Sequence, residues 1–283
     1  MRVLQEYQRL NTGFRVPKLA LGTFGTKGEA CYNATKAALE LGYRHIVTGA
    51  LYQNEADVGK ALQDFQRESI FLMTKVGPKD HGYDKAKKSV ENSLKKLNTD
   101  YLDCVLVHWP GSFTHKGGDE AQVELRHQTW KALEDFQREG TIKSIGTSNF
   151  LVHHLEKLLD AASAPPSINQ VEHHPLCRID DVVNFCRDRG IVLQSYSPLA
   201  KCDPVLWDSE PLNELVNKYS KTKSQILLRW SLQKNTILVF KSLKAEHLRE
   251  NAQLDFELSE EDMKKLDNLP QKRLNWDPNQ ITV

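Results

Sequence analysis

The chain reads as an α/β protein, a single-domain (β/α)8 TIM barrel spanning residues 1–283, with a short hairpin ahead of the barrel. Three observations predict it. Short apolar, β-rich runs alternate with longer amphipathic ones, and such alternation implies parallel strands joined by crossovers. The strand-like runs number eight, which closes a barrel, whereas about five or six would suit a doubly wound sheet. The 283 residues contain no long Gly/Ser/Pro linker, and barrels of this type run to about 250 residues as one unit.

In chain order the strand-like runs cover residues 19–21, 44–48, 70–76, 101–109, 142–148, 168–173, 191–197 and 236–241. Between them lie helical patterns. Ala86, Val90, Leu94 and Leu97 recur at spacings of three and four, as do Val152, Leu155, Leu158 and Leu159. Asp180 and Asp181 open a further helix with Val182, Val183 and Cys186 on one face, because acids suit the positive end of the helix dipole. No internal repeat or low-complexity segment interrupts the alternation.

Composition narrows the class. An apolar fraction of 40% and a charged fraction of 27% suit a soluble globular protein. A net charge of +1 gives no electrostatic case for nucleic acid or anionic membrane as a partner. No run is long and apolar enough to span a bilayer, and the first residues lack a signal-peptide core. Five scattered cysteines argue against a disulfide framework, so the cytosol is the expected compartment. A monomer is the expected state. His173, His174 and Cys177 lack a third ligand at suitable spacing, so no metal is expected.

In a barrel of this kind the chemistry sits where strands end and loops begin. Residues able to do chemistry fall there in unit after unit. Val47 and Thr48 close the second strand, Lys75 the third and His108 the fourth. Ser148 and Asn149 follow the fifth, Gln170 lies on the sixth, Tyr196 ends the seventh, and Lys241 and Ser242 end the eighth. Taken singly, each has a plainer reading: a half-buried tyrosine, a snorkelling lysine or a packed core histidine. Their joint placement is what singles them out.

The motifs carrying these residues resemble the aldo-keto reductases over nearly the whole chain. Gly42-Tyr43-Arg44-His45-Ile46-Val47-Thr48, with Tyr52, Asn54-Glu55, Val58-Gly59 and Ala61-Leu62, is similar to the family signature. One position departs from it: Val47 stands where the family has an aspartate. Gly22-Thr23-Phe24 resembles the family's first-strand exit, Phe71 to Lys75 its lysine segment, and Val107-His108-Trp109-Pro110 its histidine segment. Ser148-Asn149-Phe150, Asn169-Gln170-Val171-Glu172 with His174-Pro175, and Tyr196-Ser197-Pro198-Leu199 match the segments around the nicotinamide and the pyrophosphate. The first strand is not followed by G-x-G-x-x-G, which argues against a Rossmann fold.

The resemblance implies NADPH-dependent reduction of small aldehydes and ketones by direct hydride transfer. It implies Tyr52 as proton donor, Lys75 as its modulator and His108 as the group that orients the carbonyl. A phenol is a weak acid near neutral pH, and a nearby ammonium strengthens it. As a neutral imidazole, His108 can hydrogen-bond a carbonyl. Thr23, Ser148, Asn149, Gln170, Tyr196, Ser197 and Leu199 are the implied cofactor contacts, Tyr196 by stacking on the nicotinamide. Lys241, Ser242, His247, Glu250 and Asn251 fall on the implied adenosine 2′-phosphate site. His247 stands there in place of an arginine, so NADPH is expected over NADH by a reduced margin. Phe24, Trp109 and Trp207 are candidates for an apolar substrate pocket. The stretches 111–121 and 200–211 are long enough for loops at the barrel mouth, and the short stretch 274–283 implies an open pocket.

Val47 divides the functional reading in two. Without the aspartate, a buried Lys75 has no counter-ion, and burial alone lowers a lysine pKa. A neutral Lys75 no longer acidifies Tyr52, whereas a charged, unneutralised Lys75 acts on it more strongly. The chain is therefore expected to be a working but altered reductase. The alternative is a non-catalytic NADP(H)-binding barrel, a sensor or a structural protein. Turnover that depends on Tyr52 distinguishes the two.

Overall fold

The computed structural model describes residues 2–114 and 119–280. Its first strands, β1 (Tyr7–Arg9) and β2 (Arg15–Pro17), form the expected antiparallel hairpin. Eight further strands follow: β3 (Leu19–Gly22), β4 (His45–Val47), β5 (Phe71–Val76), β6 (Leu102–Val107), β7 (Ile142–Ser148), β8 (Ile168–Glu172), β9 (Val192–Tyr196) and β10 (Ile237–Phe240). They close into a parallel barrel in the order β10-β3-β4-β5-β6-β7-β8-β9. Each strand lies within two residues of the limits the sequence suggested. The last one or two residues of a run such as 101–109 turn out of the ladder, because the exits are where the backbone leaves to form the mouth.

Helices α1 (Gly28–Glu40), α2 (Glu55–Leu62), α3 (Tyr83–Leu97), α4 (Asp119–Glu139), α5 (Val152–Leu159) and α6 (Asp180–Asp188) wrap the first strands. Helices α7 (Pro204–Trp207), α8 (Glu210–Tyr219), α9 (Lys223–Gln233), α10 (Ala245–Asn251) and α11 (Glu260–Asp267) follow β9 and β10. The predicted stripes supply the buried faces, although Leu94, Val152 and Leu159 at their edges are only partly covered. Ala86, Val90 and Leu97 of α3 and Val182 and Cys186 of α6 lie against the strands, while Val183 is only partly covered. Helix α9 begins with a reciprocal cap: Thr222 Oγ1 accepts from Gln225 N, and Gln225 Oε1 accepts from Thr222 N.

Parallel strands are apolar on both faces, and two cores result. Outward residues such as Ile46, Leu72, Val105 and Ile145 pack under the helices. Inward residues, among them Ala20, Val47, Phe71, Met73, Cys104, Leu106, Ile168 and Val239, fill the barrel. Leu10 and Val16 of the hairpin join this inner group, so the hairpin plugs the end opposite the mouth. At Gly146 of β7 a side chain would lie 2.5 Å from the Ile168 carbonyl and 2.7 Å from Leu106, so the barrel wall needs glycine there.

Candidate active site

Val47 is the last residue of β4, level with Met73 of β5, and 1% exposed within the inner core. The next residue leaves the strand. Thr48 Oγ1 donates to Asn54 Oδ1 at 2.7 Å, and Asn54 Nδ2 donates to the Thr23 and Thr26 carbonyls at 2.8 and 2.9 Å. Thr23 closes the lattice, donating from both its backbone N–H and its hydroxyl to the Val47 carbonyl. A short 3-10 turn (Ala50–Tyr52) then carries Tyr52 over the mouth.

Lys75 comes from the far end of β5, with its side chain almost wholly buried. Its Nζ lies 2.9 Å from the Thr48 carbonyl and 3.1 Å from Tyr52 Oη. Neither bond is to a carboxylate. Burial lowers the Lys75 pKa to about 7, with the Cys104 thiol working weakly the other way. Burial also pushes the Tyr52 phenol above its ordinary value. The tyrosine ring sits edge-on between Phe24, at 5.1 Å between centroids, and His108, at 5.6 Å. His108 is buried, and burial together with the charges of Lys75 and His81 holds its pKa well below the ordinary value. Its imidazole is therefore neutral at physiological pH.

The lysine shift is also a statement about stability. Folded Lys75 releases its proton near pH 7, whereas an unfolded lysine holds it to about 10.4. Below pH 7 both states are charged, and the folded state carries the full burial penalty. Between the two values the unfolded chain binds more protons, so this group makes stability rise with pH. The melting temperature of the wild type should therefore climb from pH 7 to pH 9 relative to Lys75→Met. Parallel profiles for the two proteins would show that Lys75 is charged and solvated in the folded state.

Beside this group, Ser148, Asn149, Gln170 and Tyr196 form one hydrogen-bonded set across β7, β8 and β9. Asn149, in the left-handed region at φ 64°, donates from Nδ2 to the His108 carbonyl at 2.9 Å and accepts from Tyr196 Oη at 2.8 Å. Ser148 Oγ donates to the Gln170 carbonyl, and Gln170 Nε2 donates to Gln194 Oε1 at 2.6 Å. Gln194 continues inward to within 3.4 Å of His45, so the set is anchored in the barrel interior. The loop after β9 is strained. Ser197, Ala200, Lys201 and Cys202 all take positive φ, between 48° and 56°, which side-chain-bearing residues seldom adopt. Leu199 packs below it.

The phosphate-end residues are more dispersed. Lys241 is exposed, and a side chain at Gly25 would lie 3.7 Å from its Nζ, so the ammonium reaches towards the loop after β3. Ser242 Oγ accepts from Lys244 N and donates to its carbonyl. His247 and Arg249 are both exposed on α10. Glu250 is engaged by the Thr222 hydroxyl at 2.7 Å, and Asn251 is buried.

Of the substrate candidates, Phe24 and Trp109 lie at the mouth, whereas Trp207 does not join them. Trp207 packs on the cluster of Leu206, Leu212 and Trp230 under α8 and α9, with Lys223 Nζ 5.6 Å from its ring centre. Two rings that sequence reasoning did not single out take its place. Phe113 and Trp276 lie 6.2 and 5.9 Å from Trp109 and 6.0 Å from each other. Both fall in stretches read only as mouth loop and tail, and their aromatic character was the available signal. Residues 115–118 and 281–283 of those stretches lie outside the described residues.

The sequence profile of the Aldo/keto reductase family matches residues 18–202 and 205–270. The chain belongs to this family. It is accordingly an oxidoreductase of the aldo-keto reductase type. It is 38% identical over 283 residues to the glyoxal reductase of Bacillus subtilis, covering 98% of each chain. It is 37% identical over 277 residues to the methylglyoxal reductase DkgA of Escherichia coli, covering 96% of this chain and 97% of that one. Among solved structures, an aldo-keto reductase from a deep-sea metagenome library superposes with a TM-score of 0.90 at 36% identity, over 98% of this chain and 99% of that one. The Bombyx mori aldo-keto reductase in complex with NADP gives 0.86 at 30% identity, over 94% and 93%. Binding of NADP(H) and action on small carbonyl compounds follow from this membership in general terms.

Proposed function

We propose that the enzyme reduces small aldehydes and ketones with NADPH, Tyr52 giving the proton. The observation that carries this reading is the retained contact between Lys75 Nζ and Tyr52 Oη, 3.1 Å long, despite valine at position 47. The residues fit a nicotinamide cofactor: hydroxyl, amide and phenol groups of Ser148, Asn149, Gln170 and Tyr196 converge on one side of the mouth, and Lys241 follows β10, the strand paired with Tyr196's, with its ammonium towards Gly25. Bound NADPH supplies the hydride. Ser148, Asn149 and Gln170 would hold the carboxamide and so fix which face of the ring meets the substrate. Ser197 and Leu199 would border the pyrophosphate, and Lys241 and Ser242 the 2′-phosphate.

His108, neutral and held through its own backbone by Asn149, would hydrogen-bond the carbonyl oxygen and orient it. Tyr52 would then donate its proton to that oxygen. Its acidity depends on Lys75. While Lys75 is charged it favours the phenolate and makes Tyr52 a stronger acid, and as Lys75 deprotonates near pH 7 that help fades. Reduction should therefore decline on the alkaline side from about pH 7. The relatives named for glyoxal and methylglyoxal reduction direct the first assay to such dicarbonyls. Following NADPH absorbance with methylglyoxal tests the proposal. Tight NADPH binding without consumption would replace it with a cofactor-binding barrel that has lost its chemistry. A cytosolic monomer completes the proposal, and sedimentation checks the second part.

Cofactor preference rests on Lys241, with an exposed imidazole at 247 in place of a guanidinium. His247→Arg should tighten NADPH binding by about 1–3 kcal/mol, the scale of a charge-assisted bond, and leave NADH binding unchanged. Calorimetric titration of both cofactors reads this out. Equal gains for both would place position 247 away from the 2′-phosphate.

A further inference from the structure

Glu172, the last residue of β8, is fully buried, and its carboxylate is not directed to the tyrosine, the lysine or the amide cradle. It faces residues 273–275. Its Oε1 accepts from Leu274 N at 2.9 Å and from His174 Nε2 at 3.0 Å, and its Oε2 accepts from Asn275 N at 3.1 Å, with Arg273 at 3.8 Å. Burial alone would raise its pKa. The hydrogen bonds from His174, Leu274 and Asn275 outweigh burial and hold it below the ordinary carboxylate value, so the group is an anion at neutral pH. Two flanking ties bind the same segment: Lys201 Nζ donates to the Leu274 carbonyl at 2.8 Å, and Lys272 pairs with Asp203 at 2.6 Å.

The next residue after this clasp is Trp276. Trp276 is 65% exposed, and its ring lies against those of Trp109 and Phe113. No regular helix or strand holds residues 271–277; the Lys272 N–H to Leu176 carbonyl bond fixes the start of the segment, and from residue 273 on the placement of the ring depends on these side-chain ties. Two backbone N–H groups converge on one carboxylate, which fixes the direction of the chain as well as its distance. The three rings stand tilted against one another, at 40° to 58°, with Phe113 and Trp276 exposed to solvent and Trp109 buried behind them against His108. A methyl group cannot cover such a surface. A flat apolar substituent can, with the ring-to-ring contact adding to the area buried.

We infer that Glu172 is a positioning residue: it clasps residues 274–275 and so stands Trp276 beside Trp109 and Phe113, building a wall that selects carbonyl substrates with a flat aromatic extension. This deepens the reductase proposal for the same site and rests on it. The test compares phenylglyoxal with methylglyoxal, which share a dicarbonyl and differ in phenyl against methyl. Wild type should favour phenylglyoxal through KM. Trp276→Ala, at an exposed position where folding is not at stake, should lower kcat/KM for phenylglyoxal by about tenfold through KM, with methylglyoxal little changed.

Glu172→Gln presents an NH2 group where one backbone N–H needs an acceptor, so it should produce the same loss of selectivity. The double variant should be no less selective than Trp276→Ala alone, because both changes act through one ring. Selectivity unchanged in Trp276→Ala would overturn the wall, and selectivity changed there but retained in Glu172→Gln would overturn the clasp. Absence of turnover with either dicarbonyl in the wild type would count against the reductase proposal instead. Calorimetric binding of benzyl alcohol to the NADP-loaded protein then decides the inference: it should bind the wild type and be weakened about tenfold in both variants, and equal binding to all three would refute it.

Discussion

Tyr52→Phe should reduce carbonyl turnover by about two to four orders of magnitude, the whole contribution of general-acid catalysis, while NADPH still binds. The substitution removes one oxygen and little else. The ring stays between Phe24 and His108, so the shape of the mouth is preserved. Lys75 loses one of its two hydrogen-bond partners and keeps the Thr48 carbonyl, a stability cost of about 1 kcal/mol. The loss should fall on kcat more than on KM, because the proton is needed only as the alkoxide develops. Steady-state rates with methylglyoxal, beside a fluorescence titration with NADPH, measure both halves. A variant that keeps more than about a tenth of the wild-type rate would remove Tyr52 from the acid role.

The alternation of short apolar runs with helical stripes was enough to place all eight barrel strands, because parallel strands buried on both faces leave an unbroken apolar signature. Positions at the strand exits were legible for the same reason: once the register is known, Val47, Lys75, Ser148 and Tyr196 must face the mouth or the interior. The substrate side was less legible. Trp207 lies in a long post-strand stretch that composition alone assigns to the mouth, yet helix α7 turns it onto the outer cluster with Trp230. Phe113 and Trp276 come from opposite parts of the chain and meet through loop paths that no periodicity encodes. Glu172 shows the same limit. It sits two positions after Gln170 and on the same face of β8, but as the strand's last residue it stands one step further out, where its carboxylate meets the Leu274 and Asn275 backbone. A sequence motif gives a residue's address on the barrel, while its partners depend on which distant loop returns to that address.

Val47→Asp is expected to raise turnover by about ten- to a thousandfold, a part of what general-acid catalysis contributes. The reason lies in the charge balance of the interior. Val47 is level with Met73 and Cys104, one inward position below Lys75, in the apolar inner core that also holds Ala20 and Leu106. Lys75 has only neutral partners there, and burial brings its pKa down to about 7. A carboxylate at position 47 would favour the ammonium, return the lysine pKa towards its ordinary value and keep Tyr52 acidified to higher pH. The alkaline decline in rate, expected from about pH 7 in the wild type, should shift upward in the variant. The rise in stability between pH 7 and pH 9 should flatten as well, since folded and unfolded lysine would then titrate together. Against this stands the burial of a second charge. Unless it pairs with Lys75, an aspartate in that apolar layer costs several kcal/mol. Rate profiles and melting temperatures of the two proteins across this pH range separate the cases. A variant that melts lower and turns over no faster would mean that the valine belongs to a repacked interior serving a different task, and the proton route through Lys75 and Tyr52 would have to be abandoned.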